Sequence, residues 1–503
     1  MGLITRLLVV MLLAIGLWKG CVEGGKGKKR NKLQALIDEI TDCDKECGGV
    51  MPPLLKLRQT SHPRAICNDG SRASYYYHDA RSKQWVVFVQ PGWLCYDPIT
   101  CFVRNNMNKM LTTSWLIPNN KTGHGVLRTD PTNRLFWKYN MVDINYCSSD
   151  LFLGNTSGRS EVGVYFRGKE ILFSVLQDLI SYHRMQPHHT IHFVGSSAGG
   201  IGILVNMQEI LQFLHDWGFG NMQTRVILDD AWFTEEFAND FPCFEESPPM
   251  PCITNDTLTQ AFQVWNVNVQ SACGESYEKN ASWNCIFGTN ALRGLNNVPL
   301  FVIQNQYDNY QLIMSKLLPF PSTETSDGIL KRMDAILEIG KKVRTEISSL
   351  DPDTSGFFSM GCLNHHTLKG DYVNFPVQVQ SQTLTATLNC WLQNEHAVRS
   401  VDQVLNGNMN NPGLDAGRGG KSSQGGSCSF RVGDECKYPQ CNPNCMSLSG
   451  SVAMIEDERI TVWTPEAFLN FSPKVATELG IFSTDRPNME RLSLLARKQH
   501  STD

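Results

Sequence analysis

Between Thr190 and Trp217 the hydrophobic period of the chain changes from that of a strand to that of a helix, and the change falls on Gly195-Ser196-Ser197-Ala198-Gly199. A strand that turns at once into a helix needs small residues two positions before and two after the turning residue, because the chain doubles back so tightly that side chains there collide. Gly195 and Gly199 meet that need only if Ser197 is the residue at the turn. Centring the turn on Ser196 would put Val194 and Ala198 at the tight positions. Ser197 is therefore the candidate nucleophile, raised on a sharp elbow between a buried strand and a helix.

The elbow lies within a longer alternation. Short apolar runs rich in β-branched residues occur at Trp85–Gln90, Met141–Tyr146, Thr190–Val194, Arg225–Leu228 and Val298–Gln304, the pattern of buried parallel strands. Helical patterns are predicted over Lys169–Tyr182, Gly200–Trp217, Ile329–Ile347 and Val377–Leu392, with Gly218 closing the second. Such alternation implies the α/β class, a mostly parallel sheet covered by helices on both faces. With 503 residues of which 41% are hydrophobic, there is material for one large core with insertions. The expected organisation is a signal peptide over residues 1–24, a flexible basic lead-in over 25–60, a catalytic domain over 61–480 that contains a Gly/Asn/Ser-rich flexible loop at 406–427, and a disordered tail over 481–503.

Arg6 followed by the apolar run Leu7–Trp18 is too short to span a bilayer and reads as a leader for secretion. No later run reaches the length of a membrane span, so no transmembrane anchor is expected. Cysteine usage points to the same oxidising compartment. Of 17 cysteines, removal of the leader takes Cys21 and leaves an even set able to pair as disulfides. Sequons at Asn120, Asn155, Asn255, Asn280 and Asn470 are candidate glycosylation sites. A net charge of −4 gives no basic field for nucleic acid, so none is expected as a partner. The cluster Cys428, Cys436, Cys441 and Cys445 lacks the paired spacing of a zinc site and is expected to form disulfides. Neither a metal nor a cofactor is expected.

A serine at such an elbow needs a base to take its proton and a carboxylate to hold that base, in the chain order serine, acid, histidine. Asp308 lies at the exit of the strand-like run Val298–Gln304, and His365 and His366 follow. Strand position favours Asp308, though Asp229 and Asp230 also follow a strand and are alternative acids or helix caps. Pattern alone does not separate the two histidines. For the oxyanion, backbone N–H donors are expected from Ala198 and from Gly92 and Trp93, which follow the first of these strands.

The segments PGWLCYDPITC, NMVDINYCSSD, GSSAGG, AWF, SWNCIFG, YDNYQL, CLNHH and CNPNC occur in the order and spacing of one group. Over Cys67 to Cys445 the chain resembles the Notum group of pectin acetylesterase-like carboxylesterases. The resemblance implies an α/β-hydrolase fold, secretion, and removal of a palmitoleate ester from a serine of Wnt proteins, which silences Wnt signalling. It implies Ser197 as nucleophile, Asp308 as acid and His365 as base. It further implies Gly92, Trp93 and Ala198 as oxyanion donors, and an acyl pocket formed by Leu94, Phe233, Ile286, Phe287 and Met314. The partners it brings are a lipidated Wnt substrate and cell-surface glypican or heparan sulfate. Pro91 and Leu94 differ from the residues usual in that group, which bears on substrate preference. The competing readings are a polysaccharide acetylesterase with the same chemistry and a hydrolase fold that only binds partners.

Overall fold

A computed structural model describes residues 53–235, 253–295, 297–318, 326–368, 370, 375–406, 428–435 and 438–445, together with a two-residue ladder of Phe482–Ser483 on Arg486–Pro487. The expected leader, Cys436, Asn470 and all of the loop 406–427 except Asn406 lie outside the described residues, as does the expected tail apart from that ladder. The described core belongs to one compact unit that begins at Pro53.

Eleven strands make one sheet: β1 Leu55–Gln59, β2 Ser74–His78, β3 Gln84–Val89, β4 Asn120–Lys121, β5 Asn140–Ile144, β6 Thr190–Ser196, β7 Gln223–Asp229, β8 Leu300–Asn305, β9 Gly356–Met360, β10 Arg399–Ser400 and β11 Arg431–Gly433. They lie in the order β11-β9-β8-β7-β6-β3-β5-β2-β1-β4, with β10 pairing β7. From β5 through β3, β6, β7, β8 and β9 to β11 every pairing is parallel. The edge formed by β2, β1 and β4 is antiparallel. A parallel pair requires a long crossover, and the chain supplies helices for this purpose: α1 Pro98–Met107, α2 Gly168–Tyr182, α3 Ala198–Asp216, α4 Asn255–Val264, α5 Asn309–Met314, α6 Ser326–Ser348 and α7 Leu384–Leu392.

The side chains of β3 show how the sheet divides the core. Trp85, Val87 and Val89 pack into one apolar cluster with residues of α2, α3 and α6, whereas Val86 and Phe88 pack into a second cluster with Leu384, Leu388 and Trp391 of α7. Strand residues alternate between faces, so a strand buried on both sides is apolar along most of its length, as β3 is over Trp85–Val89 and β8 over Leu300–Ile303. This strand order, with helices on both faces, is the α/β-hydrolase fold expected from the sequence.

Two boundaries differ from the sequence reading. The expected lead-in over 25–60 overlaps β1, whose short alternating LKLRQ segment buries Leu55 and leaves its charged residues facing solvent. The helix expected from Val377 begins only at Leu384. Gln380 and Ser381 both take positive φ, 50° and 63°, and fold Gln378–Val379 back on Gln382–Thr383 as a hairpin before Thr383 caps the helix.

Disulfides join Cys67 to Cys147, Cys95 to Cys101, Cys273 to Cys285, Cys362 to Cys445 and Cys390 to Cys428. Cys441 is disulfide-bonded as well. Cys428 and Cys445 thus pair with distant partners, and the cysteine-rich segment is bolted to α7 and to the loop after β9 rather than folded around a metal. Alkylation of the folded protein without reduction is expected to label none of these cysteines, and peptide mass spectrometry reads the outcome directly. A labelled Cys362 or Cys445 would contradict the pairing.

Candidate active site

β6 lies between β3 and β7 in the parallel run, so its C-terminal end opens at the middle of the sheet edge where α/β proteins bind their ligands. There Ser197 joins β6 to α3 with φ 49° and ψ −120°, a strained conformation for a residue with a side chain. A Cβ on Gly195 would come within 2.5 Å of the Gly200 Cα, and one on Gly199 within 2.1 Å of the Val89 carbonyl oxygen and 2.7 Å of that of Gln90. The two glycines therefore let the start of α3 press against both its own strand and the end of β3.

The adjacent serines differ in their surroundings. Ser196 is fully buried, and its hydroxyl donates to Asp229 Oδ2 at 2.8 Å and lies 2.9 Å from Nδ1 of His366. Ser197 is held through its backbone, its N–H donating to the Asp229 carbonyl at 2.9 Å. Its side chain sits at the helix cap without making a capping bond.

Asp308 follows β8 and caps α5, one carboxylate oxygen accepting from the Gln311 N–H at 3.0 Å. The other accepts from Nδ1–H of His365 at 2.6 Å. His365 is buried, its ring 4.4 Å from that of Tyr310, and its Nε2 has no hydrogen-bond partner. Burial lowers the pKa of His365, which favours the neutral imidazole a proton acceptor needs, and raises that of Asp308. Of the two histidines left open by sequence, His365 is the one that meets an acid expected from strand position.

Asp229 and Asp230, weighed as alternative acids or caps, have other engagements. The Asp229 carboxylate accepts from Ser196 and from the backbone N–H groups of Thr367 and Leu368 at 2.9 and 3.1 Å. Asp230 accepts from the backbone and side-chain nitrogens of Asn305. Neither bonds to a histidine of the pair. Asp230, Asp308 and His365 bring potential ligand atoms within 4.8 Å of one another, but both carboxylates are already occupied by the bonds just described.

Gly92 and Trp93 follow β3 directly, beside the start of α3. Tyr146, fixed by an N–H bond from Leu151 at 2.7 Å, lies where a Gly92 Cβ would have to go, 2.2 Å from its Cδ1. Trp93 packs 5.7 Å from Tyr310. Ala198 is the first residue of α3, so its N–H has no acceptor within the helix.

Leu94, Phe233, Ile286, Phe287 and Met314 are all buried and belong to one contiguous apolar cluster, against which Trp93 packs. Leu94 follows the Gly92 loop, Phe233 follows β7 and Met314 ends α5. The Phe233 carbonyl accepts from the Gly288 N–H at 3.1 Å, which ties the β7 exit to the Ile286 segment. Of the sequons, Asn120, Asn255 and Asn280 are exposed and Asn155 is half-buried.

Sequence reasoning missed Tyr310 and the bridge from Ser196 through Asp229 to the residues after His365. A doubled Ser-Ser facing a doubled His-His was the available signal.

Residues 48–446 match the model of the pectinacetylesterase family. Among curated relatives, palmitoleoyl-protein carboxylesterase notum2 of Xenopus laevis is 29% identical over 399 residues, covering 78% of this chain and 74% of that protein. Palmitoleoyl-protein carboxylesterase NOTUM of Homo sapiens is 27% identical over 430 residues, 85% of this chain and 79% of that protein. The protein of that name from Schmidtea mediterranea is 32% identical over 332 residues, 65% of this chain and 60% of that protein. With a family match over most of its length and an α/β-hydrolase fold, the chain belongs to the pectinacetylesterase family and is a carboxylic ester hydrolase.

Proposed function

We propose that the protein is a secreted serine esterase that removes a palmitoleate ester from a serine of Wnt proteins and so restrains Wnt signalling. The observation that carries the chemistry is the Asp308–His365 hydrogen bond, which leaves Nε2 of His365 without a partner. Ser197 Oγ attacks the acyl carbonyl while His365 Nε2 takes its proton, and Asp308 fixes the tautomer and stabilises the imidazolium. The N–H groups of Gly92, Trp93 and Ala198 receive the negative charge of the tetrahedral intermediate. His365 then protonates the departing serine oxygen of the substrate. A water activated by the same nitrogen hydrolyses the acyl-enzyme.

The substrate assignment draws on the names of the relatives and on the apolar character of Leu94, Phe233, Ile286, Phe287 and Met314. Each buried methylene contributes about 0.8 kcal/mol, so the six extra carbons of octanoate over acetate offer roughly 5 kcal/mol before ordering costs. Half of that corresponds to nearly a hundredfold in kcat/KM, the expected advantage of nitrophenyl octanoate over nitrophenyl acetate below micellar concentrations. Mass spectrometry of a palmitoleoylated Wnt peptide should show loss of the acyl group. Faster turnover of acetate with no release from the peptide would instead establish a polysaccharide acetylesterase. Failure of a fluorophosphonate to label the protein would establish a binding protein.

Secretion agrees with the disulfides and with the exposed sequons, and no described helix is long and apolar enough to cross a membrane. Glypican or heparan sulfate retention belongs to the same proposal. We assign it to a groove of about 1000 Å³ whose lining includes Lys56, Arg58, Arg81 and Arg184 beside the single acid Asp79, at the end of the sheet opposite Ser197, where sulfates would meet cations without covering the elbow.

A further inference from the structure

Ser196, Asp229 and His366 stand one residue away from Ser197, Asp230 and His365, and they form a connected set of their own. The Asp229 peptide carbonyl accepts from the Ser197 N–H at 2.9 Å, and its carboxylate accepts from Thr367 N–H at 2.9 Å and Leu368 N–H at 3.1 Å. One residue thus grips the elbow with its backbone and the segment after His365 with its side chain. Ser196 closes the circuit: its hydroxyl proton goes to Asp229 Oδ2 at 2.8 Å, so toward His366, 2.9 Å away, it can only accept. Nδ1 of His366 must therefore carry a proton and donate it. His366 holds this position at φ 69°, in the left-handed region, with its ring 4.0 Å from that of His365. Asp229 is fully buried, and burial raises its pKa to about 6 in spite of three donors. A carboxylate so costly to bury stands here in place of any simple apolar contact between strand and loop.

We infer that Ser196, Asp229 and His366 are positioning residues, a clamp that sets the distance between the nucleophile on the elbow and the base on the loop after β9. The inference rests on the reading of Ser197 and His365 as nucleophile and base. The hydrogen bond that His365 Nδ1–H donates to Asp308 fixes the rotation of the His365 ring, but it does not tie its loop to β6. The clamp does, through β7 and through Ser196. It acts on the reaction step, which depends on sub-ångström placement, and leaves the acyl-binding residues untouched.

The test uses the full-length protein and short-chain nitrophenyl esters, with kcat expressed per active site titrated by a fluorophosphonate. His366→Ala is expected to lower kcat ten- to a hundredfold with KM changed less than threefold. His366→Asn, whose side-chain amide donates from the position of Nδ1, is expected to recover kcat to within about threefold of the parent protein. Asp229→Asn is expected to match or exceed the alanine effect, and the His366 pair decides the matter if that variant does not fold. Full kcat per titrated site in His366→Ala overturns the inference, as does an asparagine variant no better than alanine. A fluorophosphonate that still labels Ser197→Ala would overturn the underlying reading instead, so the two failures are distinguishable.

Discussion

Ser197→Ala is expected to lower ester turnover by about six orders of magnitude, the loss typical when a serine hydrolase is deprived of its nucleophile. The folded elbow should survive, because Ser197 contributes its backbone N–H to Asp229 and makes no capping bond with its side chain. Ser196→Ala is the discriminating companion. Its hydroxyl is a bridging atom in the clamp, so its loss should cost about one order of magnitude through misplacement of the base, far less than loss of the attacking atom. Steady-state turnover of a nitrophenyl ester, with thermal unfolding to confirm the fold, measures both. If Ser196→Ala were the inert variant and Ser197→Ala the active one, the register of the elbow would be wrong.

The second large effect concerns the acid. Asp308→Asn preserves shape but offers Nδ1 of His365 an amide that can turn its N–H₂ toward the ring, which favours the wrong tautomer. Comparable changes in serine hydrolases lower kcat about 10⁴-fold. Asp230→Asn is the control, since Asp230 engages Asn305 and no histidine, and its kcat should remain within about tenfold of the parent by the ordinary scale of indirect substitutions near a site. Equal losses in the two variants would mean that the acid function is shared between them.

The parallel heart of the sheet was legible because strands buried on both faces are apolar along most of their length. The runs at Trp85, Met141, Thr190, Arg225 and Val298 each became a strand within two residues of the expected position. The antiparallel edge was not legible: β1 reads LKLRQ and β2 SYYYH, short segments whose partners lie far along the chain. β9, GFFSM, carries too brief a signal to stand out from a loop. At the site, Ser197 could be chosen from the two serines because backbone crowding leaves a mark in the glycines. His365 and His366 differ only in which carboxylate each loop position meets, a tertiary fact without a local pattern. Asp229 was noticed for its place after a strand and weighed as an alternative acid or a helix cap; the donors its carboxylate accepts from, the N–H groups of Thr367 and Leu368, lie nearly 140 residues away and leave no local pattern.

The bridge from Cys362 to Cys445 closes a span of 83 residues and ends three positions before His365. Its consequence is one of timing. Until the ribosome has released the far end of that span and an oxidant has sealed it, the loop that carries His365 lacks one of its covalent anchors, although Ser197, Asp308 and His365 have already been synthesised. On the proposed reading of His365 as base, oxidation of this one pair of thiols would therefore have to precede full ordering of the loop that positions it.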